Sequence, residues 1–223
     1  MPGHWSEAVA HDLRAPLSRL RSRIEQARRG PFEEQAWRAT LDALAADVDV
    51  LVATCNALLD IARAQTGEPL RDIQPVDLSE LVAEVAEVYA ALADERGIAF
   101  VVEIETGVSM LGVQRLLAQA IANLLDNALK FTPTGGRVGL RLRHAEQGWQ
   151  LQIDDSGPGI PEAERERVFE RFVRLPATEA LPGHGLGLAL VRAVVRAHGI
   201  QLRLGDQVSG SGLCVLLSFP APA

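Results

Sequence analysis

Twelve residues, Gln119-Ala120-Ile121-Ala122-Asn123-Leu124-Leu125-Asp126-Asn127-Ala128-Leu129-Lys130, constrain this chain more than any others. At 3.6 residues per turn, Leu117, Ile121, Leu124 and Ala128 join Leu116, Ala120, Leu125 and Leu129 in a helix that is apolar over most of its circumference. A helix of that kind is buried. One polar stripe interrupts it. Gln119, Asn123, Asn127 and Lys130 follow one another at spacings of four, four and three, so their side chains stack along one edge. Buried carboxamides cost about 1 to 3 kcal/mol each if left without partners. Backbone groups or water would satisfy them. So would a metal ion and phosphate oxygens, with the amide oxygens facing the cation and Lys130 facing the anion.

The 223 residues, 48% of them hydrophobic, suffice for one large or two modest packed domains. A net charge of -7 and a pI near 5.3 argue against a nucleic-acid binder. Cys55 and Cys214 both sit among apolar neighbours, which predicts core residues of a reducing compartment, neither bridged nor metal-bound. No apolar run approaches the 18 residues needed to cross a bilayer. The expectation is a soluble, cytoplasmic portion, with any inner-membrane anchor lying upstream of Met1-Pro2-Gly3-His4.

In the first segment Trp37, Leu41, Leu44, Val48, Leu51, Cys55, Leu58 and Ala62 alternate spacings of four and three, the seam of a coiled coil. Upstream, Ala10, Leu13, Leu17, Leu20, Ile24 and Ala27 keep the same alternation, and Arg28-Arg29-Gly30-Pro31 breaks the two helices apart. Two antiparallel helices with narrow seams bury little alone, so the hairpin is predicted to dimerise into a four-helix bundle. With Ala10 and Leu13 at the a and d positions, His11 and Asp12 fall on the solvent face. Pro16 lies inside the same helical pattern, where it removes the hydrogen bond to the carbonyl of Asp12 at a cost of about 3 kcal/mol. A neutral imidazole has a free lone pair near pH 7, and an adjacent carboxylate can orient the ring and take up its proton.

The run His11-Asp12-Leu13-Arg14-Ala15-Pro16-Leu17 resembles the phosphoacceptor box of the sensor histidine kinases of two-component signalling. That resemblance implies that His11 is phosphorylated and that Asp12 assists. Arg14, Arg19, Arg21, Arg23, Arg28 and Arg29 crowd the same helix. They form a solvated face balancing Asp42, Asp47 and Asp49 of the second helix, or steer an acidic receiver domain toward His11; the two readings are compatible.

Gln65-Thr66-Gly67-Glu68-Pro69 reads as a linker, dividing a hairpin of residues 1–67 from a second domain of residues 68–223. Asp77-Leu78-Ser79-Glu80 is an N-cap with its capping-box Glu, opening a helix that closes at Gly97. Residues 98–104 read as a strand, and the long apolar helix begins near Val113. It stops because Pro133 disfavours helical geometry at Thr132. Residues 138–143 and 149–153 alternate as a hairpin around Gln147-Gly148. Mixed runs of this kind predict an α+β layer with helices on one face of a largely antiparallel sheet.

Ile153-Asp154-Asp155-Ser156-Gly157-Pro158-Gly159-Ile160 is either a tight turn or a loop where backbone approaches a ligand while Asp155 accepts a hydrogen bond from an amino group. Gly183-His184-Gly185-Leu186-Gly187-Leu188 precedes an apolar helix over residues 189–197, and glycines opening a helix leave N–H groups facing an anion. Together, residues 123–130, residues 155–159, Phe169-Glu170-Arg171-Phe172 and residues 183–188 resemble, in order and spacing, the N, G1, F and G2 boxes of the histidine-kinase catalytic domain.

The resemblance implies a Bergerat α/β sandwich that binds ATP and Mg2+. Asn127 would hold the metal, Asn123 would support metal and phosphates, Lys130 would contact phosphate and Asp155 would read adenine. Gly157, Gly159, Gly183, Gly185, Leu186 and Gly187 would shape the pocket and lid, which Phe169 and Phe172 anchor unless they are plain core. The ATPases of the same fold carry Glu four residues before the metal-binding Asn; here that place is Asn123, and an amide cannot act as a base. The implied activity is autophosphorylation of His11 in a homodimer and transfer to an Asp of a response regulator. A non-catalytic nucleotide-binding scaffold, or an ATPase or serine kinase of the same fold, are the alternatives. Where many members carry Thr or Asn four residues after the phosphoacceptor, this chain has Ala15, so weak phosphatase activity toward the partner is expected.

Overall fold

A computed structural model describes residues 73–145, 148–171, 173–175, 185–207 and 210–219, together with Ile24, Glu25, Trp37, Thr40, Leu41, Leu44 and Val48. The chain divides into two compact units, Met1–Asp60 and Ile61–Ala223. In the first, the seven described residues are helical, and Ile24, Leu41 and Val48 are exposed. The rest of the hairpin's seam, His11, Asp12, all six arginines of the first helix, Cys55 and the expected linker at residues 65–69 lie outside the described residues.

The second unit opens with strand β1 (Gln74–Asp77) and helix α1 (Leu78–Glu95). Asp77 caps that helix as expected, its carboxylate accepting from the Glu80 N–H at 2.9 Å. The far end closes with Gly97 at φ +66 and a bond from the Ile98 N–H to the Ala93 carbonyl, a Schellman arrangement. Strand β2 (Ala99–Ile104) follows, then β3 (Ser109–Gly112), which pairs antiparallel with β1 as a small separate ribbon. The Ser79 hydroxyl ties the start of α1 to the intervening loop, donating to the Glu105 carbonyl at 2.9 Å and accepting from the Val108 N–H at 3.0 Å.

Helix α2 (Gln114–Phe131) carries the asparagine stripe. Its eight buried residues, Leu116, Leu117, Ala120, Ile121, Leu124, Leu125, Ala128 and Leu129, are the apolar set read from the sequence. Thr132 leaves helical geometry at ψ 127, as the following Pro133 requires. Strands β4 (Arg137–Ala145) and β5 (Gly148–Asp155) form the expected hairpin, with Ala145 opposite Gly148. Beyond two single 3-10 turns lie helix α3 (Gly187–Ala197), β6 (Gln201–Asp206) and β7 (Leu213–Phe219).

The main sheet has the order β2-β4-β5-β7-β6. Only β2 and β4 are parallel, so the sheet is largely antiparallel as anticipated. Cross-strand register stacks its two faces in rows. Leu140, Ile153, Val215 and Leu204 form one inward row, and Leu142, Leu151, Leu217 and Leu202 the next. The outward face is polar: Arg141 pairs with Glu103 at 3.2 Å and with the buried Asp154 at 2.6 Å, and Gln152 and Gln207 also donate to Asp154.

Cys214 departs from its expected place in the core. It sits directly opposite Asp154 on that polar face and is half-buried, because in β7 it is Val215, Leu217 and Phe219 whose parity points inward. It is a free thiol, and burial followed by the Asp154 charge pushes its pKa up.

Candidate functional site

The register that builds the core also creates a buried carboxylate. Two residues beyond Ile153 on the same face of β5, Asp155 takes an inward position opposite Val138, where a hydrophobic side chain would continue the row. It is 6% exposed, and burial raises its pKa against the lowering effect of two backbone donors. Those donors are the Gly157 N–H at 2.8 Å and the Leu213 N–H at 3.4 Å. Both bind Oδ1. Among the described residues nothing donates to Oδ2, so that oxygen is the one available to an incoming amino group.

The glycines hold this loop against its neighbours. A Cβ on Gly157 would lie 2.7 Å from the Phe131 carbonyl oxygen at the end of α2, and 2.9 Å from Asp155 Oδ1. Gly159 has φ +70 and would meet the Gly212 carbonyl. The loop before β7 thereby becomes part of the site, since the place of a Gly212 Cβ is filled by the Asp155 carbonyl oxygen. Reading the sequence missed this contribution, along with the Leu213 N–H; the signal available was Gly210-Ser211-Gly212 before an apolar run.

On α2 the stripe of Gln119, Asn123, Asn127 and Lys130 is half-buried along its whole length. Asn123 Nδ2 donates to the Gln119 carbonyl at 2.9 Å, which commits the nitrogen and turns Oδ1 outward from the helix. The Asn127 carboxamide is bonded to no other described residue. Gln119 Oε1 is buried and has no hydrogen-bond partner among the described residues. Lys130 lies 4.9 Å over the Phe131 ring; its pKa is lowered by burial, with Asp126 opposing and Arg174 reinforcing that shift. With Asp94, Gly97, Ile98 and Thr134 it also borders a depression of about 540 Å3, which includes neither asparagine nor Asp155 and is a separate feature.

Helix α3 brings its N-terminus to the stripe. Gly185 turns the chain at φ +67, the buried Leu186 is the N-cap, and no side chain caps the first turn. A Cβ on Gly187 would lie 3.1 Å from Asn123 Oδ1 and 3.7 Å from Asn127 Nδ2. The first turn of α3, without a side-chain cap among the described residues, therefore lies against this pair of carboxamides closely enough that a side chain at position 187 would crowd Asn123. Phe169 is half-buried beneath Arg192 of α3, whose guanidinium lies 5.4 Å from the ring centre and also pairs with Glu166. Gly183 and Phe172 lie outside the described residues.

Asn123, Asn127, Asp155, Gly157, Gly159 and Gly187 are thus linked around the second half of α2, with Lys130 one turn further on. The residues fit a nucleotide with a divalent cation. Hard cations take oxygen ligands, which the two carboxamides offer. Among the described residues no group of three or more His, Cys, Asp or Glu could hold a metal instead. The unengaged Asp155 Oδ2, the free Asn127 amide and the bare α3 N-terminus are suited to an amine, a cation and phosphates in turn.

A largely antiparallel sheet covered on one face by helices, with a carboxylate ending an inward row and a glycine-opened helix meeting an asparagine stripe, is a Bergerat-type ATPase sandwich. Residues 112–223 match the histidine kinase-, DNA gyrase B-, and HSP90-like ATPase family, and the chain belongs to it. It is 42% identical over 216 residues to the signal transduction histidine-protein kinase/phosphatase MprB of Mycobacterium sp. (strain KMS), covering 91% of this chain and 40% of that one. The protein of the same name from Mycobacterium ulcerans (strain Agy99) is 37% identical over 221 residues, covering 94% and 42%. The chain spans about two fifths of the length of these curated relatives. Among solved structures, a mycobacterial sensor histidine kinase MprB shares 39% identity at a TM-score of 0.58, over 68% of this chain and 99% of that one. The Acinetobacter baumannii histidine kinase AdeS, 22% identical, shares the fold at a TM-score of 0.78 over 96% and 98%. Among the described residues no helix is long and apolar enough to cross a membrane.

Proposed function

We propose that this chain is the catalytic core of a sensor histidine kinase, which binds ATP with Mg2+ in the cleft between α2, α3 and the Asp155 loop and phosphorylates itself on His11. Bound Mg2+–ATP supplies a transferable phosphoryl group whose negative charge needs stabilising. Asp155 Oδ2 accepts from the exocyclic amine of adenine. Asn127 holds the cation with support from Asn123, and Lys130 contacts phosphate. The first-turn N–H groups of α3 stabilise the phosphate oxygens, while Gly157, Gly159, Gly183, Gly185, Leu186 and Gly187 keep side chains out of their way. The observation that carries this reading is the approach of Gly187 to Asn123 and Asn127, which puts a positive helix end against two metal-competent amides.

Asn123 stands where the hydrolases of this fold carry Glu, so no carboxylate there activates water. At His11, one ring nitrogen forms the new bond to phosphorus as the bond to the leaving diphosphate oxygen breaks, and Asp12 accepts the proton from the other nitrogen. The phosphoryl group then passes to an Asp of a receiver domain. Residues 1–67 form the dimerising hairpin and residues 68–223 the catalytic domain. The exposure of Ile24, Leu41 and Val48, all three at seam positions, supports a second copy covering that seam.

The test is incubation with γ-labelled ATP and Mg2+. Wild type should acquire an acid-labile, base-stable label, absent from His11→Gln and from Asn127→Ala. Label that persists in His11→Gln would point to the serine-kinase alternative. No label at all, with nucleotide still bound, would leave a scaffold.

A further inference from the structure

The two helices that wall the cleft run antiparallel, and they are fastened together at the end away from it. At the cleft, Gly187 opens α3 beside Asn123 and Asn127. At the other end, His198 follows the last turn of α3 and receives a hydrogen bond on Nε2 from the N–H of Val113, the N-cap of α2, at 3.0 Å. Its second ring nitrogen, Nδ1, is 2.9 Å from the Val194 carbonyl. One nitrogen must accept and the other donate, which only the neutral Nδ1–H tautomer can do. Burial favours that neutral form, with no charged side chain contributing to the shift. The ring's seat adjoins a glycine: a Cβ on Gly112 would lie 2.9 Å from Leu117 Cδ1, 3.0 Å from His198 Cδ2 and 3.3 Å from Nε2. Val113 makes no side-chain cap bond to α2, and the His198 ring instead accepts from its backbone N–H.

We infer that His198 is a positioning residue for the phosphate end of the nucleotide: by joining the start of α2 to the end of α3 it sets the axial register of the two helices, and so the place of the α3 N-terminus relative to Asn123. The lever arms match. The eleven residue steps from Gly187 to His198 along α3, and the ten from Val113 to Asn123 along α2, each span about 15 to 17 Å at 1.5 Å per residue. A slip at the ring is therefore passed along rigid helices to the Gly187 gap, whereas Asp155 sits on the sheet and is held by Gly157 and Leu213.

This inference rests on the nucleotide reading of the cleft, and the experiment separates the two. Binding of Mg2+–ATP and of adenosine is measured by calorimetry for the whole chain, at a temperature at which each variant is shown folded by its thermal midpoint. His198→Phe keeps a ring but loses both hydrogen bonds, and His198→Gln keeps a non-titrating acceptor near the Nε2 position. ATP affinity should fall about three- to tenfold in His198→Phe, the range of one backbone hydrogen bond lost, with adenosine affinity unchanged. His198→Gln should recover most of the loss. Gly112→Ala, whose methyl crowds the buried Leu117 as well as the ring, is read by the same contrast and should lower ATP affinity more than adenosine affinity. Equal loss of ATP and adenosine, or no loss of either, overturns the positioning role. A wild type that binds neither ligand removes the nucleotide reading itself, and the positioning role with it.

Discussion

Gly187 and Asn123 approach so closely that a methyl group on the glycine would rest 3.1 Å from the asparagine Oδ1. Gly187 is the first residue of its helix, where Ala gains only part of the about 1 kcal/mol that it gains over Gly in a helix interior, and the close contact offsets that gain. Gly187→Ala should accordingly leave the thermal midpoint nearly unchanged, yet weaken Mg2+–ATP binding by about tenfold, because the methyl takes the space in which first-turn N–H groups meet phosphate. Calorimetric titration alongside a melting curve checks both halves. Unaltered affinity would mean that phosphates do not enter that gap.

Asp155 couples binding to stability with a definite sign. Its folded-state pKa is raised, chiefly by burial, so ionising it costs the folded protein more than the unfolded chain. As pH rises from the ordinary Asp value through the raised one, the folded state loses stability from this group, and the loss is complete once the pH exceeds the folded-state value. Asp155→Asn keeps an Oδ1 acceptor for Gly157 and Leu213 while removing the charge. The variant should melt higher than wild type at pH 7 without nucleotide, with the difference shrinking as the pH approaches 4, and it should lose ATP binding. A variant that melts lower at pH 7 contradicts this.

Legibility of the fold follows the distance over which its determinants act. The eight buried positions of α2, the Asp77 cap, the Gly97 close and the stop at Thr132 are local, and periodicity or capping chemistry displays them directly. Strand β1 was not visible: it is four residues long and contains Pro75, tolerable because its only partner is β3 in a two-stranded ribbon. Strand β3 is equally short and ends on Gly112, whose side-chain-free backbone makes room for His198. Strands β6 and β7 went unread, and with them the closure of the site by Gly212 and Leu213. Cys214 was misplaced for the same reason, since neighbours along the chain cannot reveal strand parity without the strand. At the site, residue types on α2 announced a polar stripe, but the Gly187 and His198 contacts join residues distant in sequence and emerge only from packing.

Gly212 offers a direct measure of how much the β7 approach matters. With φ +143 and its Cβ position occupied by the Asp155 carbonyl oxygen, no rotamer adjustment can relieve an added methyl, because the obstacle is backbone. Gly212→Ala should cost about 2 to 4 kcal/mol in denaturant unfolding, well above a typical surface substitution. The strand ends must separate for it to fit, so adenosine binding should weaken together with ATP binding. That joint loss is the opposite pattern from the ATP-selective defect expected of His198→Phe.

Ala15 lies outside the described residues, and its consequence rests on chemistry alone. The mycobacterial relatives are named as kinase and phosphatase together. Hydrolysis of a receiver acyl phosphate needs a water held in line by a hydrogen-bonding side chain, and a methyl group cannot orient one. The chain should therefore phosphorylate its partner receiver but dephosphorylate it slowly. Ala15→Thr supplies a hydroxyl four residues after His11 and should speed partner dephosphorylation by at least about tenfold, without changing the rate at which His11 is labelled. The measurement is loss of label from the purified phospho-receiver with the wild-type chain, with Ala15→Thr and with no chain added. Rapid loss with the wild type would show that another residue holds the water.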